Sequence, residues 1–115
     1  MDKILTIAVD FDGTIVEHAF PAIGAAIPNA LAVLKELTKK GHKLILWTYR
    51  DGIYLEEAVE YCRKNGLEFF AVNKSHPEEE YNKYMSRKIL ADIYIDDRNF
   101  GGLPDWKDIR KELLE

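Results

Sequence analysis

Two aspartates stand two positions apart directly after an apolar segment near the beginning of the chain. The apolar residues 4–9, ILTIAV, lead into residues 10–14, DFDGT, so Asp10 and Asp12 follow the end of this segment. Carboxylates held this close together raise each other's free energy of ionisation, and a divalent cation, a shared proton or exposure to solvent has to offset the repulsion. The other polar residues of the chain have to decide among these three explanations.

Further polar side chains follow two later apolar segments. Thr48 and Arg50 follow KLILW, Asp96 and Asp97 follow ADIYI, and Lys88 lies shortly before the latter. If these residues meet at one edge of a sheet, their carboxylates would repel each other strongly without a cation. Mg²⁺ suits such an oxygen-rich site and usually shares phosphate oxygens with its protein ligands. The set therefore predicts a Mg²⁺ site for a phosphorylated substrate.

The chemistry of phosphate transfer predicts a role for each residue type. A carboxylate that faces a metal-bound phosphorus can act as the nucleophile, and a second one can protonate the leaving oxygen and later deprotonate water. Gly13 permits a close backbone approach, so Gly13 and Thr14, with the amides after Asp10, are predicted to bind the phosphate. Thr48 and Lys88 are predicted to donate hydrogen bonds to the remaining phosphoryl oxygens.

Strands and helices that alternate along the chain are predicted to position these residues. The predicted strands are residues 3–9, 43–48, 67–72 and 91–96, and the predicted helices are residues 28–42, 51–66, 76–88 and 104–115. This alternation predicts an α/β fold, a Rossmann-like three-layer α/β/α sandwich with helices on both faces of a central parallel sheet. We expect the first strand to lie between the second and the fourth. Ligands bind beyond the carboxyl ends of such strands, where the polar residues lie.

Length and composition limit the class of protein. The 115 residues are enough for one domain, predicted to span residues 1–115. A formal charge of −4, with 16 Lys and Arg against 20 Asp and Glu, gives no indication of nucleic-acid binding. No apolar run is long enough for a membrane span, and the acidic N-terminus does not resemble a signal peptide. The single cysteine, Cys62, is typical of a reducing compartment, so a cytoplasmic location is predicted.

The order of these motifs resembles that of the haloacid dehalogenase (HAD) superfamily. DFDGT, then Thr48, then Lys88, then IDD match its four motifs across the whole chain. The resemblance implies a phosphatase, because dehalogenases lack the second acid of the first motif. It also implies that Asp10 is the phosphorylated nucleophile and Asp12 the general acid/base. The implied Mg²⁺ ligands are Asp10, the backbone carbonyl of Asp12, Asp96 and Asp97.

The chain departs from many members of this superfamily in having no room for a cap domain. Predicted elements and one loop fill residues 13–47 and residues 49–87, where a cap would be inserted. Capless relatives tend to act on macromolecular phosphates, or they use a neighbouring subunit as a lid, which would make the protein a homo-oligomer. The substrate can therefore be a small molecule or a macromolecular phosphate.

Several alternatives remain open at this stage. A phosphorelay receiver also uses an acid cluster, a threonine and a lysine, but its phosphate-accepting aspartate follows the third strand, where this chain has Asn73. A catalytically idle regulatory module on the same fold is the other alternative. Arg50 is predicted either to bind the distal part of the substrate or to pair with Asp51 or a glutamate. Arg87 and Lys83 compete with Lys88 for the third motif, and His18 is left as a surface or substrate-contacting residue.

Overall fold

The parallel sheet places the first strand at its centre. The computed structural model of the protein describes residues 3–115. Its elements are β1 (Thr6–Val9), α1 (Ala30–Lys39), β2 (Lys43–Leu46), α2 (Gly52–Lys64), β3 (Ala71–Val72), β4 (Ile93–Ile95) and α3 (Trp106–Leu114). The four strands are parallel in the order β3-β2-β1-β4, so the predicted position of the first strand between the second and the fourth is confirmed. All strands are shorter than predicted, and β3 is reduced to two residues.

The register brings the ends of the central strands to the same level. Val9 lies opposite Leu46 of β2 and opposite Ile95 of β4. The amide of Asp10 donates to the carbonyl of Ile95 at 3.0 Å, and the amide of Trp47 donates to the carbonyl of Val9 at 2.9 Å. The residues that follow each strand therefore start from one common edge.

The helices form from apolar residues at helical spacing. In α1, Ala30, Val33, Leu34 and Leu37 are buried, which is the i, i+3, i+4, i+7 pattern of an amphipathic helix. Gly41 follows with a φ of 97°, a left-handed conformation that lets the chain turn from α1 into β2. The longest helix, α2, has 13 residues, and no helix within residues 3–115 is long and apolar enough to cross a membrane.

All three helices pack on one face of the sheet. Side chains from α1, α2 and α3 share one buried cluster with the strand residues that point to that face: Ile7, Val9, Leu44, Leu46 and Ile95. The strand residues that point to the opposite face, Ala8, Ile45 and Ala71, form a second cluster with Ile89. The predicted parallel α/β architecture is thus present, but the described residues form no second helical layer.

The missing layer results from the segment between β3 and β4, residues 73–92. A helix was predicted over residues 76–88, and this prediction is wrong, because the segment forms turns and irregular structure. Several of its amides donate to side-chain oxygens: that of Tyr84 to Asn82, that of Lys88 to Ser86 and that of Leu90 to Ser75. Serine and asparagine side chains compete in this way with the hydrogen bonds of a helix.

Candidate functional site

A cleft of about 930 Å³ lies beyond the C-terminal ends of the strands. Among the predicted site residues, its lining includes Asp10, Asp12, Thr48, Arg50, Asp96 and Asp97. These side chains come from the ends of β1, β2 and β4, as the strand register requires. The sequence-based expectation that they share one edge of the sheet agrees with this arrangement.

Three carboxylates approach each other most closely within the cleft. One oxygen each of Asp10, Asp96 and Asp97 lies within 4.8 Å of the other two. Carboxylate oxygens are hard ligands, so the chemistry of this donor set fits Mg²⁺ or a similar cation. Asp12 was predicted to contribute its backbone carbonyl to the metal site, and its side chain is not part of this group. We call Asp10, Asp96 and Asp97 the acid cluster.

The electrostatics of the acid cluster favour a proton or a cation. Burial, the negative charge of Asp96 and a hydrogen bond with Asp97, in decreasing order of effect, raise the pKa of Asp10 to about 7. A bound divalent cation would replace that proton, because metal ligands have to be deprotonated. A cation, a shared proton or solvent exposure could offset the repulsion between the aspartates. For Asp10, solvent exposure alone is the weakest of these three explanations.

The raised pKa leads to a prediction about pH and metal binding. The pKa of Asp10 is about 7 in the fold, above the value near 4 of an unfolded aspartate, so this group favours the folded state most at low pH. Its contribution is lost as the pH rises from about 4 to about 7. Without metal, the melting temperature should therefore fall over this range more in the wild type than in Asp10→Asn.

Mg²⁺ should raise the wild-type melting temperature more at pH 8 than at pH 5.5. A Mg²⁺ shift that is equal at both pH values, by differential scanning fluorimetry, would contradict this.

Gly13 and Thr14 support the acid cluster. The Thr14 side chain is fully buried, and its hydroxyl lies 3.3 Å from Asp10 Oδ2 and 3.4 Å from Asp97 Oδ1 while it accepts a hydrogen bond from the Asp97 amide. Gly13 has a φ of 86°, and a Cβ at this position would lie 2.4 Å from Asp97 Oδ2. Both were predicted to bind substrate. In the fold the Gly13 amide donates to the carbonyl of Val16, and the lack of a side chain on Gly13 leaves room for Asp97, so the predicted substrate contacts stay a prediction.

Arg50 holds Asp12 and the loop that follows it. Arg50 Nε donates to Asp12 Oδ2 at 2.7 Å, and Arg50 Nη2 donates to Asp12 Oδ1 at 2.8 Å, so the pair is bidentate. The remaining donors bond to the carbonyls of Pro21, Ala22 and Tyr54. This uses all five N–H groups of the guanidinium.

The surroundings of Arg50 also differ from both earlier expectations. Its side chain has no exposed surface, and the guanidinium carbon lies 5.1 Å from the ring centroids of both Phe11 and Phe20. Arg50 was predicted to bind substrate or to pair with Asp51 or a glutamate. It pairs with Asp12 and has no donor left for a substrate, so it acts as a positioning residue.

Removing the Arg50 guanidinium is expected to destabilise the fold. Arg50→Met leaves Asp12 without its partner, and breaking a buried ion pair in this way costs about 3–5 kcal/mol. The matched control is Arg63→Met, because Arg63 pairs with Glu60 on the surface, where such a pair contributes about 0–1 kcal/mol. The free energy of unfolding from urea titration measures both. Losses of equal size would show that the Arg50 pair adds nothing beyond a surface pair.

Thr48 is held at the cleft by the end of β3. Its amide donates to Oδ1 of Asn73 at 2.8 Å, and its Oγ1 accepts from the Arg50 amide at 3.1 Å. Asn73 has a φ of 53°, a left-handed conformation that asparagine tolerates better than most residues. Sequence reasoning used Asn73 only as an argument against a receiver domain, because this strand end has no acidic residue. It missed the structural role of Asn73.

Lys88 lies outside the cleft, contrary to the prediction for the third motif. It is exposed, and its Nζ lies 5.4 Å from the ring centroid of Tyr94. Arg87, which was a competing candidate, and Arg98 line the cleft instead. Both residues belong to the irregular segment between β3 and β4, where Arg87 lines the cleft and Lys88 lies beside Tyr94.

Other cleft residues are aromatic, and sequence reasoning assigned none of these aromatic residues to the site. Phe20, Trp47, Tyr49 and Tyr81 line the cleft together with His18 from the loop after β1. Tyr49 lies between Thr48 and Arg50 in the sequence, and this position at a strand end was the signal that could have identified it. His18 was left open as a substrate contact, and it is placed at the cleft.

Comparison with known proteins identifies a relative among the solved structures. No family model matches the chain, and no curated protein gives a significant match. The chain is similar to a solved structure described as a conserved protein from Bacteroides thetaiotaomicron, with 56% sequence identity and a TM-score of 0.89. The match covers 95% of this chain and 88% of the other. The chain therefore belongs to the same protein family as this conserved Bacteroides thetaiotaomicron protein.

Proposed function

We propose that the protein is a Mg²⁺-dependent phosphatase of the HAD type, which hydrolyses a phosphoric monoester through a phosphorylated Asp10. The observation that carries the proposal is the acid cluster in one cleft with Asp12 and Thr48. Mg²⁺, held by Asp10, Asp96 and Asp97, would neutralise the charge of the phosphoryl group and of the carboxylates. The side chains of the protein would carry out the nucleophilic attack and the proton transfers.

The proposed reaction has two steps that use the two aspartates of the first motif. In the first, a carboxylate oxygen of Asp10 attacks phosphorus, the bond from phosphorus to the ester oxygen breaks, and Asp12 gives a proton to the leaving oxygen. In the second, Asp12 takes a proton from water, the water oxygen attacks phosphorus, and the bond to Asp10 breaks. The Thr48 hydroxyl is proposed to donate to a phosphoryl oxygen.

The contacts of Arg50 give the two aspartates of the first motif different surroundings. Both oxygens of Asp12 are fixed in direction by the guanidinium, whereas Asp10 contacts the acid cluster. The two carboxylates therefore have different partners although they are close in sequence. In the proposed reaction, Asp10 attacks phosphorus and Asp12, held in place by Arg50, transfers the protons.

We also propose that the protein works without a cap domain. The loop from β1 to α1 and the segment from β3 to β4 contain no helix and no strand longer than an isolated bridge within the described residues. His18 and Phe20 from the first and Tyr81 and Arg87 from the second line the cleft. These short segments would form the walls of the site that a cap forms in larger relatives.

The proposal is tested by turnover of phosphate monoesters with and without metal. Purified protein should release inorganic phosphate from a panel of phosphorylated metabolites in the presence of Mg²⁺. Excess chelator should abolish this release, because the acid cluster would then repel the phosphate dianion, and added Mg²⁺ should restore it. Full activity in excess chelator would exclude the metal, and no phosphate release from any monoester would exclude the function.

A further inference from the structure

The two sides of the cleft differ in chemistry. The acid cluster comes from the ends of β1 and β4, on one side of the sheet. Trp47 and Tyr49 follow β2, and Tyr81 belongs to the segment that follows β3, so these three aromatic residues come from the other half of the sheet, whereas Phe20 comes from the loop after β1. A substrate whose phosphate is at the acid cluster would therefore extend its leaving group towards the aromatic side chains.

The aromatic side chains are accessible to a ligand. Tyr49 is 96% exposed and Tyr81 is 50% exposed, although both line the cleft. The guanidinium carbon of Arg87 lies 4.2 Å from the ring centroid of Tyr81, so the guanidinium lies over one face of this ring in a cation–π contact. We call Tyr49, Tyr81 and Arg87 the aromatic wall.

Cationic side chains accompany the aromatic wall. Arg87 and Arg98 line the cleft, and no carboxylate within residues 3–115 forms an ion pair with either. Arg98 directly follows Asp97 of the acid cluster and lines the same cleft. The cleft thus presents unpaired positive charge beside exposed aromatic rings.

We propose that the substrate is a nucleoside monophosphate, whose base stacks on the aromatic wall. This inference rests on the proposed phosphatase function and specifies its leaving group. Stacking of a base on an aromatic side chain is sequence-tolerant and strong enough to change affinity roughly 5- to 150-fold. A cleft of about 930 Å³ is within the range that accommodates ligands of this size.

Other phosphate monoesters fit the same wall less well. A sugar phosphate has no planar group to stack, and its hydroxyls need polar partners where this side of the cleft presents rings. A polynucleotide requires a row of cations along its backbone, and a chain with a net charge of −4 has none indicated beyond the cleft arginines. The mononucleotide is therefore the substrate class that the wall favours.

The first test compares two substrates that differ only by the base. With Mg²⁺ present, kcat/KM for adenosine 5′-monophosphate should exceed that for ribose 5-phosphate by roughly 5- to 150-fold, mainly through KM. The ratio should fall towards one in Tyr49→Ala and in Tyr81→Ala. It should be retained in Tyr84→Ala, the matched control, because Tyr84 is 86% exposed in the same segment but does not line the cleft.

The second test measures binding without turnover. Trp47 lines the cleft and Trp106 is buried in the core, so quenching of tryptophan fluorescence in Asp10→Asn reports on the cleft. Adenosine 5′-monophosphate should quench at lower concentration than ribose 5-phosphate, and Tyr81→Ala should weaken this difference.

The outcomes separate the inference from the proposed function. Equal kcat/KM for both substrates, or a higher value for a 5′-phosphorylated oligonucleotide, would overturn the mononucleotide while leaving a phosphatase. Preferential quenching by the nucleotide without hydrolysis of any ester would support stacking of the base on the aromatic wall and would overturn the proposed phosphatase activity. Neither hydrolysis nor preferential quenching would overturn both.

Discussion

Asp10→Asn is expected to abolish turnover and to leave no phosphorylated protein with any substrate. The amide has no anionic oxygen with which to attack phosphorus, so the covalent step is lost for every leaving group. The loss should reach the detection limit of the assay rather than a partial reduction. In the proposal Asp10 both holds the metal and attacks phosphorus, whereas Asp96 and Asp97 only hold the metal.

The measurement traps the phosphorylated protein in acid and detects it by intact mass. The control is Asp108→Asn, an exposed aspartate in the first turn of α3 and outside the cleft, which should keep wild-type activity. Melting temperatures verify that both variants are folded. Phosphoryl-protein formation by Asp10→Asn at the wild-type level would assign the nucleophile to another side chain.

Asp12→Asn is expected to affect the two reaction steps differently, depending on the ester. An alkyl phosphate needs a proton on its leaving oxygen, so loss of the general acid should slow the first step about 10²–10⁴-fold. An aryl phosphate with an acidic phenol hardly needs this proton, and its first step should remain fast. The second step lacks the base that activates water, so a burst of phenol should precede slow turnover.

Rapid-quench measurement of the burst tests this prediction. The amplitude should approach one phenol per protein with the aryl ester, whereas no burst should appear with the alkyl ester on the same time scale. Urea titration of Asp12→Asn is needed beside it, because Arg50 loses its anionic partner in this variant. Equal losses in the first step on both esters would show that Asp12 is not the acid.

The predictions from the sequence succeeded where they rest on residues that are neighbours in the sequence. Runs of isoleucine and valine predict buried strands, and the carboxyl ends of parallel strands lie at one edge of the sheet. Asp10, Thr48 and Asp96 follow such strands, so the sequence placed them together. The expected order β2-β1-β4 is also present. None of these inferences needed a contact between specific side chains.

The failures concern contacts that depend on tertiary structure. The charge pattern of residues 76–88 is typical of a helix start, but hydrogen bonds from its amides to side chains decide otherwise. The choice between Arg87 and Lys88 depended on that helix. Arg50 and Asp12 are far apart in sequence, and a pair that forms through the turn after β1 and the start of α2 leaves no local signal.

Because the helices pack on one face of the sheet, the residues that support the acid cluster are separate from the irregular segment between β3 and β4. The acid cluster stands on β1 and β4, whose inner residues are buried by α1, α2 and α3, whereas Tyr81 and Arg87 belong to the irregular segment on the opposite face. Substitutions and length changes in that segment would alter the wall of the cleft without disturbing the helical core. Residues of this segment can therefore be exchanged to change the cleft wall while the acid cluster stays constant, and this segment is the natural place to engineer ligand selectivity.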